Sequence, residues 1–274
     1  MTFQIVGTVE KNERIGSLYF LMTFRCPPIA DEIKPGQFIM LRVSDNVSPL
    51  LRRPFSIYRN FPSDHPEKKT RGCLLILYKV VGKGTRMMAQ LRKGQELDIL
   101  GPLGNGFALP PLPSSAPAVL LGGGVGIVSL VSLAESLASL NLCVFIGGRT
   151  RDDILCKEDF EKLNVREVYV ATEDGSLGYK GTVIDLFLSK KKAIEKSGAQ
   201  YLYTCGPTNM LRELAASWTR EGTVCQASLE ARMGCGFGAC WGCVIKTKHP
   251  NTPYQRVCKE GPVFNLKDLV WEVG

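Results

Sequence analysis

The chain has 274 residues, a formal net charge of +8 and 45% hydrophobic residues. That length and apolar content suffice for about two packed domains, and no apolar run is long enough to span a membrane. Lysines and arginines are spread along the sequence, and the one lysine run, Lys190–Lys192, ends an apparent helix, where cations suit the helix dipole. A nucleic-acid-binding patch is therefore disfavoured. The first residues lack the basic and apolar regions of a signal peptide, so we expect reduced thiols and a cytoplasmic location.

Residues 1–108 are predicted to form an all-β domain. Short strand-like runs alternate with glycine and proline turns, a spacing typical of an antiparallel barrel. One helix, Thr85–Leu91, is predicted after the segment Gly82-Lys-Gly84. The predicted strands are Gln4–Glu10, Leu18–Phe24, Gln37–Val43, Pro54–Tyr58, Leu74–Val81 and Glu96–Leu100.

Four prolines between Leu109 and Pro117 predict a stiff linker and a domain boundary. Residues 118–222 then alternate strands with helices, which indicates a Rossmann-like parallel α/β domain. Residues 223–274 are predicted to be a separate small module. The predicted strands are Ala118–Leu121, Leu142–Gly147, Val168–Thr172 and Gln200–Cys205, and the predicted helices are Ile127–Leu140, Thr182–Leu188 and Met210–Glu221.

The most specific motif is a set of four cysteines in the last module, spaced C-x4-C-x2-C-x14-C. The first three have the plant-type [2Fe-2S] spacing, and the glycines among them leave backbone N–H groups free to reach sulfur. A hairpin from Val244–Lys248 to Tyr254–Cys258 is expected to deliver the last ligand. The predicted ligands are Cys235, Cys240, Cys243 and Cys258.

Two other uses of these cysteines stay open at this point. A structural zinc site usually has two C-x2–4-C knuckles, whereas this chain has one C-x2-C, so the spacing favours the cluster. Disulfide frameworks belong to small secreted proteins with a much higher cysteine density. The remaining cysteines are expected to be mostly small buried hydrophobic residues. They are Cys26, Cys73, Cys143, Cys156, Cys205 and Cys225.

Two segments of the first domain are candidate phosphate sites. Arg53 and Ser56 flank Pro54 and Phe55 on a predicted strand, where a guanidinium can fork onto phosphate oxygens. Alternation places Arg53 and Phe55 on one face and Pro54 and Ser56 on the other. The segment Gly84-Thr85 begins a helix whose free N–H groups suit an anion. A solvated strand arginine and an ordinary helix cap are the simpler alternatives.

Two segments of the second domain are candidate nucleotide sites. The glycine turn lies between a strand and a helix, although Ile127 departs from the pattern G-x-G-x-x-G. Cys205 and Gly206 end a parallel strand at the carboxyl edge, where ligands bind, so Cys205 is a candidate to lie near a nicotinamide. A tight βα turn and a buried core cysteine are the alternatives. The glycines of the turn are Gly122, Gly123, Gly124 and Gly126.

These segments together resemble the ferredoxin–NADP reductase superfamily, whose flavin motif Arg-x-Tyr/Phe-Ser/Thr is matched at Arg53, Phe55 and Ser56. The run from Ser228 to Cys243, closed by the segment from Arg256 to Phe264, resembles the electron transfer subunits of type B dihydroorotate dehydrogenase. The resemblance covers nearly the whole chain.

The resemblance implies FAD in the barrel, a [2Fe-2S] cluster on the four cysteines and NAD(H) on the α/β domain. It adds Leu77, Tyr78 and Lys79 to the expected FAD contacts, beside residues 53–56 and 84–85. It also implies a partner, an FMN-containing catalytic subunit that oxidises dihydroorotate to orotate in pyrimidine biosynthesis, with two copies of each subunit in a heterotetramer. No residue of this chain is expected to be catalytic in proton transfer.

Two alternatives accompany that interpretation. Related flavin and cluster subunits of sulfide dehydrogenases, transhydrogenases and hydrogenases share the same layout, and a nucleotide-binding sensor with a cluster or zinc is the non-enzymatic alternative. The choice between NAD and NADP is also open from the residues alone. Arg149 and Arg151 can hold a 2′-phosphate, whereas Asp152 and Asp153 can bind ribose hydroxyls. The resemblance favours NAD.

Overall fold

The computed structural model describes residues 1–44, 48–111, 117–138, 140–163, 165–218 and 222–271. The predicted proline linker lies partly outside these residues, as do the ends of two predicted helices. The described chain contains two seven-stranded sheets and one two-stranded hairpin. Within these ranges no helix combines the length and the apolar character needed to cross a membrane.

The first sheet is the predicted antiparallel barrel, with strand order β4-β3-β7-β1-β2-β6-β5. Its two edge strands, β4 and β5, are consecutive in the chain, so the sheet curls until its edges approach. The seam of the barrel lies between them, and the segment that connects them is held to β6, where the N–H of Tyr58 donates to the carbonyl of Leu75 at 2.9 Å. The elements are β1 Phe3–Arg14, β2 Tyr19–Arg25, α1 Pro27–Glu32, β3 Phe38–Arg42, β4 Arg53–Ser56, β5 Arg59–Phe61, β6 Cys73–Lys79, α2 Lys83–Ala89 and β7 Glu96–Leu103.

The second sheet has the order β11-β10-β9-β8-β12-β13-β16 and is parallel except for β16. Its helices bury apolar faces on both sides of the sheet, as expected for crossover connections. The elements are β8 Ala118–Gly123, α3 Ser129–Ser136, β9 Leu142–Gly148, α4 Lys157–Lys162, β10 Glu167–Thr172, β11 Tyr179–Lys180, α5 Val183–Ser189, α6 Lys191–Lys196, β12 Tyr201–Cys205, α7 Thr208–Ser217, β13 Val224–Ser228 and β16 Val263–Asn265.

The predicted glycine turn is shorter than expected. Strand β8 continues through Gly123, and a 3-10 helix over Gly124–Val128 precedes α3. The predicted module boundary before residue 223 also falls inside the second sheet, because β13 pairs in parallel with β12.

The last module is the loop that connects β13 to β16, and it contains the predicted hairpin. Strands β14 Val244–Lys246 and β15 Tyr254–Arg256 are antiparallel, with Val244 opposite Arg256. One apolar core runs through all three parts of the chain. It includes Met40 of the barrel, Leu202 of the second sheet and Cys258 of the module.

Candidate functional site

A cavity of about 410 Å³ lies where the barrel, the carboxyl edge of the parallel sheet and the last module meet. Its size is typical of a small-molecule or cofactor pocket. The barrel supplies residues 53–56, Leu77, Tyr78, Lys79 and Thr85, and the parallel sheet supplies Gly126, Ser129 and Cys205. The module supplies residues 228–231 and Met233.

The two candidate phosphate segments come together at the rim of this cavity. Strand β4 brings Arg53 against the first turn of α2, so that a Cβ on Gly84 would lie 3.0 Å from the Arg53 Nε. All four residues 53–56 line the cavity, because β4 is an edge strand and both of its faces are accessible from the open side. Residues on both faces of the strand, as alternation divides them, therefore line the cavity.

The hydroxyl of Thr85 is used locally. It accepts hydrogen bonds from the backbone N–H groups of Val81 and Gly82, at 2.9 and 3.1 Å. The Thr85 side chain therefore caps the start of the helix, which was the simpler of the two interpretations of this segment. Backbone N–H groups in the first turn of a helix lack intrahelical partners, so the residues available to an anion here are the N–H groups and Arg53.

The carboxyl edge of the parallel sheet forms the opposite wall. The 3-10 helix after β8 packs against the end of β12, and a Cβ on Gly126 would lie 2.6 Å from the Cys205 carbonyl oxygen. Cys205 is buried and lines the cavity. Burial raises the pKa of its thiol to about 12, so it is uncharged at neutral pH. Among the predicted glycines, Gly126 borders the cavity, whereas Gly122 and Gly123 pack under Ile127 and Met210.

Several lining residues were not predicted from the sequence. Strand β13 ends at Ser228, and the chain then lines the cavity through Glu230 and Met233. The Glu230 side chain is exposed to the open cavity, but the surrounding protein desolvates its carboxyl group and raises its pKa. The sequence signal for these residues was the segment Ser228-Leu-Glu230 at the end of a strand beside the Cys205 strand. That signal can be used only if β13 is known to belong to the parallel sheet.

The four predicted cluster cysteines form two pairs. The Cys235 sulfur accepts from the N–H groups of Ala239 and Cys240, at 3.3 and 3.5 Å, and the Cys243 sulfur accepts from the N–H of Cys258 at 3.4 Å. The described residues contain no group of three or more His, Cys, Asp or Glu side chains arranged around a single metal ion. A [2Fe-2S] cluster takes two thiolates on each iron, so its donor set has the form of two pairs.

The loop around Cys235 is suited to negative charge on its sulfur, whereas burial raises the pKa of the Cys258 thiol to about 12. Partial burial tends to raise the pKa of the Cys235 thiol. Hydrogen bonds from the backbone N–H groups of Cys240 and Phe237 outweigh that effect and lower the pKa to about 6. Gly236 has φ of +82°, and a Cβ there would lie 2.5 Å from the Met40 Cγ of the barrel. Glycine at this position thus lets the loop pack directly on the barrel.

Arg256 braces the same loop. Its guanidinium donates to the Gly238 carbonyl at 2.6 Å, donates to Glu260 at 3.1 Å and lies 4.4 Å from the centre of the Trp241 ring. Trp241 lies between two of the cysteines and has φ of +55°, which is unfavourable for a bulky residue. The stacked guanidinium compensates part of that cost.

The acidic pair proposed to bind ribose is divided by the structure. Asp153 turns toward the barrel, where its Oδ1 accepts from the Tyr19 hydroxyl at 2.5 Å. Asp152 stays exposed at the edge of the sheet. The Arg151 guanidinium donates to the carbonyl of Ser176 at 3.2 Å. Of the four residues considered for the choice of dinucleotide, Asp153 and Arg151 therefore already have hydrogen-bond partners within the protein.

Two family models match the chain. Residues 120–215 match the oxidoreductase NAD-binding domain. Residues 230–270 match the iron–sulfur cluster binding domain of dihydroorotate dehydrogenase B, and all four predicted ligands lie in that range. The iron–sulfur interpretation of the module is confirmed, in preference to zinc or disulfides, and so is the nucleotide domain.

Curated relatives cover almost the whole chain. The electron transfer subunit of dihydroorotate dehydrogenase B (NAD(+)) from Desulforamulus reducens is 40% identical over 92% of this chain and 93% of its own. The corresponding subunit from Geobacillus thermodenitrificans is 37% identical over 96% of this chain and 97% of its own. Neither relative is a sulfide dehydrogenase, transhydrogenase or hydrogenase subunit, so the alternative enzyme classes are not favoured.

Solved structures confirm the fold. An NADH-dependent reduced ferredoxin–NADP oxidoreductase, studied for flavin-based electron bifurcation, superposes with a TM-score of 0.82 at 26% identity, covering 99% of this chain and 92% of that one. A ferredoxin–NADP+ reductase from Neisseria gonorrhoeae with bound FAD and NADP has a TM-score of 0.65 at 15% identity, covering 82% of this chain and 99% of that one. With the coverage of the curated relatives, the conclusion is direct: the chain belongs to the family of electron transfer subunits of NAD-linked dihydroorotate dehydrogenase B.

Proposed function

We propose that this chain carries electrons between NAD(H) and an FMN-containing catalytic subunit that converts dihydroorotate to orotate. The route passes through FAD in the barrel and a [2Fe-2S] cluster in the last module. The observation that carries the proposal is the composition of the cavity, whose wall includes the flavin motif, the carboxyl edge of the nucleotide domain and the start of the cluster loop.

The cofactors supply the redox chemistry: a flavin exchanges both hydride and single electrons, and a [2Fe-2S] cluster exchanges single electrons. The protein residues supply position and electrostatics. Arg53 and the first N–H groups of α2 hold the diphosphate of FAD, because they converge at the rim of the cavity. Phe55 and Tyr78, whose rings are 6.0 Å apart, and Leu77 form the apolar wall beside the flavin ring.

The nucleotide edge holds NAD(H) against the same cavity. The 3-10 helix at Gly126 packs against Gly206 at the end of β12, so both lie at the carboxyl edge of the parallel strands, where dinucleotides bind. The uncharged thiol of Cys205 contributes a water-excluding surface at the point where the nicotinamide approaches the flavin.

The four cysteines of the module would hold the cluster, since they lie as two neighbouring pairs, Cys235 with Cys240 and Cys243 with Cys258. Cys240 is exposed, and so are its neighbours Phe237 and Trp241. This outward side of the cluster loop is the side from which the catalytic subunit takes or returns electrons. The assembly is a heterotetramer with two copies of each subunit, and it works in the cytoplasm.

The ligand assignment is tested with Cys240→Ser in the complete complex. The variant is expected to lose iron and acid-labile sulfide and to keep FAD. NADH should still reduce its flavin without oxygen, while transfer to the catalytic subunit falls to the background rate. Cys143→Ser, a partly buried cysteine outside the module, is the matched control and should behave as wild type. Unchanged turnover of the complex after loss of the cluster contradicts the route.

The dinucleotide is tested separately. The rate of anaerobic flavin reduction is compared for NADH and NADPH at equal concentration. A faster reaction with NADH is expected, since Asp152 is exposed where a ribose hydroxyl can bind. A preference for NADPH contradicts that part of the proposal.

A further inference from the structure

One contact crosses directly from the nucleotide domain to the flavin strand. The carboxylate oxygen Oδ1 of Asp153 accepts from the Tyr19 hydroxyl at 2.5 Å and from the Lys79 Nζ at 3.0 Å. Tyr19 and Lys79 face each other in the register of β2 and β6, and the Lys79 Nζ lies 5.0 Å from the centre of the Tyr19 ring. The three side chains thus form one compact group at the domain interface.

The barrel end of this group belongs to the flavin site. Lys79 ends strand β6, and Leu77, Tyr78 and Lys79 line the cavity. Tyr19 is 2% exposed and packs in a core that also contains Ile127 of the nucleotide domain. Movement of this pair would therefore move the wall against which the flavin ring lies.

The other end of the group belongs to the nucleotide edge. Asp153 ends a short 3-10 helix that follows β9, and β9 ends at the carboxyl edge where a dinucleotide binds. The helix begins with the Thr150 hydroxyl accepting from the N–H of Asp152, and the N–H of Arg151 donates to the Ser176 hydroxyl at 2.8 Å. The backbone that carries Asp153 is therefore held in place on the nucleotide side.

The charges support a persistent contact. Burial tends to raise the pKa of the Asp153 carboxyl group. The hydrogen bonds from Tyr19 and Lys79 outweigh that effect, so the pKa is lowered. Hydrogen bonding of Lys79 with Tyr19 first, and then with Asp153, raises the pKa of Lys79. At neutral pH the contact is an ion pair that is largely shielded from water on the carboxylate side, where Asp153 is 17% exposed.

We propose that Asp153 is a positioning residue that ties the dinucleotide-binding loop to flavin strand β6 and thereby fixes how closely the nicotinamide approaches the flavin. The proposal rests on the function proposed above. It assigns Asp153 to the domain interface rather than to the ribose, and it gives Tyr19 and Lys79 a common role as its hydrogen-bond donors on the barrel side of the cavity wall.

A second ion pair across the same interface provides a control. Arg59 of β5 donates to Glu135 at 2.5 Å and to Asp159 at 3.1 Å. Glu135 lies at the C-terminal end of α3, which is the end away from the carboxyl edge of the sheet. Removing Glu135 weakens the domain contact without touching the nucleotide loop or the flavin strand.

The test compares Asp153→Ala with Glu135→Ala in the full-length holoprotein, by anaerobic stopped-flow reduction of the flavin at increasing NADH. Asp153→Ala is expected to lower the limiting rate about tenfold. Its NADH concentration dependence, FAD content and cluster content should stay close to wild type. Its visible circular dichroism should also lose the change that NAD+ causes in the wild-type flavin bands. Glu135→Ala should match wild type, and Asp153→Asn, which keeps an acceptor oxygen, should recover part of the rate.

A wild-type limiting rate and a wild-type dichroism change in Asp153→Ala would overturn the proposal, and so would equal losses in both alanine variants, which would indicate general loosening of the interface. If Asp153→Ala cannot retain FAD, Tyr19→Phe decides by the same two measurements, because it removes one donor and keeps the ring. Failure of NADH to reduce the wild-type flavin would instead contradict the proposed function, so the two failures are distinguishable.

Discussion

Gly126→Ala is the substitution that most directly tests the nucleotide edge. The added Cβ would lie 2.6 Å from the carbonyl oxygen of Cys205 and 2.7 Å from the Cα of Gly206. Both are backbone atoms, so no side-chain rotation relieves the collision. Ordinary contact begins at 3.4 Å, so the 3-10 helix and the end of β12 must separate by about 0.8 Å, at a cost of about 1–3 kcal/mol in the free energy of unfolding.

The same displacement separates the two parts of the nicotinamide site. A shift of this size near reacting groups lowers the rate of flavin reduction by about ten- to a hundredfold. The assay is anaerobic stopped-flow reduction by NADH, with urea unfolding to measure stability. Gly198→Asn is the control, because Gly198 lies outside the nucleotide turn and has φ of +77° with open space around its Cβ position, a conformation that asparagine tolerates. Reduction of Gly126→Ala within about twofold of the control, the range of neutral substitutions, would refute the reasoning.

Three further predictions concern the cluster loop and the cavity. Gly236→Ala should lower the free energy of unfolding by about 2–5 kcal/mol, because alanine disfavours the positive φ and its Cβ would collide with Met40. The melting temperature and the iron content should fall together, and wild-type values of both would contradict the prediction. Arg256→Lys cannot hold Gly238, Glu260 and Trp241 at once, so its cluster absorbance should bleach faster in chelator, whereas equal bleaching would show that the brace is dispensable. Desolvation raises the pKa of Glu230 in the folded protein above its usual 4.5, so the native state holds more protons and the free energy of unfolding should fall as pH rises above that value. Glu230→Gln should lack this fall in urea titrations at a series of pH values, and an unchanged slope would argue against it.

The sequence identified what depends on local spacing. The cysteine pattern places three predicted ligands within nine residues, and the βα alternation predicts the parallel sheet wherever apolar strands meet polar turns. Arg53 and Gly84 were both predicted from separate motifs, and the structure brings them together. These features are readable because each is encoded in one short segment.

The features that sequence reasoning missed depend on contacts between distant segments. Glu230 was missed because β13 was assigned to the cluster module, whereas it pairs with β12 in the parallel sheet. Asp153 was considered for the ribose because of its distance from the glycine turn, but a tyrosine and a lysine 134 and 74 residues away along the chain bind it instead. No local pattern distinguishes a carboxylate that faces a ligand from one that faces a neighbouring domain.

The position of the cluster follows from where its module is inserted. Strands β13 and β16 are hydrogen-bonded neighbours, with Ser228 opposite Val263, so residues 229–262 leave and re-enter the sheet at a single point. Because β13 runs parallel to β12, that point is the carboxyl edge, beside Cys205 and the cavity. The loop must therefore pass the cavity wall before it reaches Cys235, and the packing of Gly236 on Met40 fixes its other side to the barrel. The closeness of the cluster to the flavin site is thus imposed by strand order together with one glycine contact, and it does not need a separate docking interface between the domains.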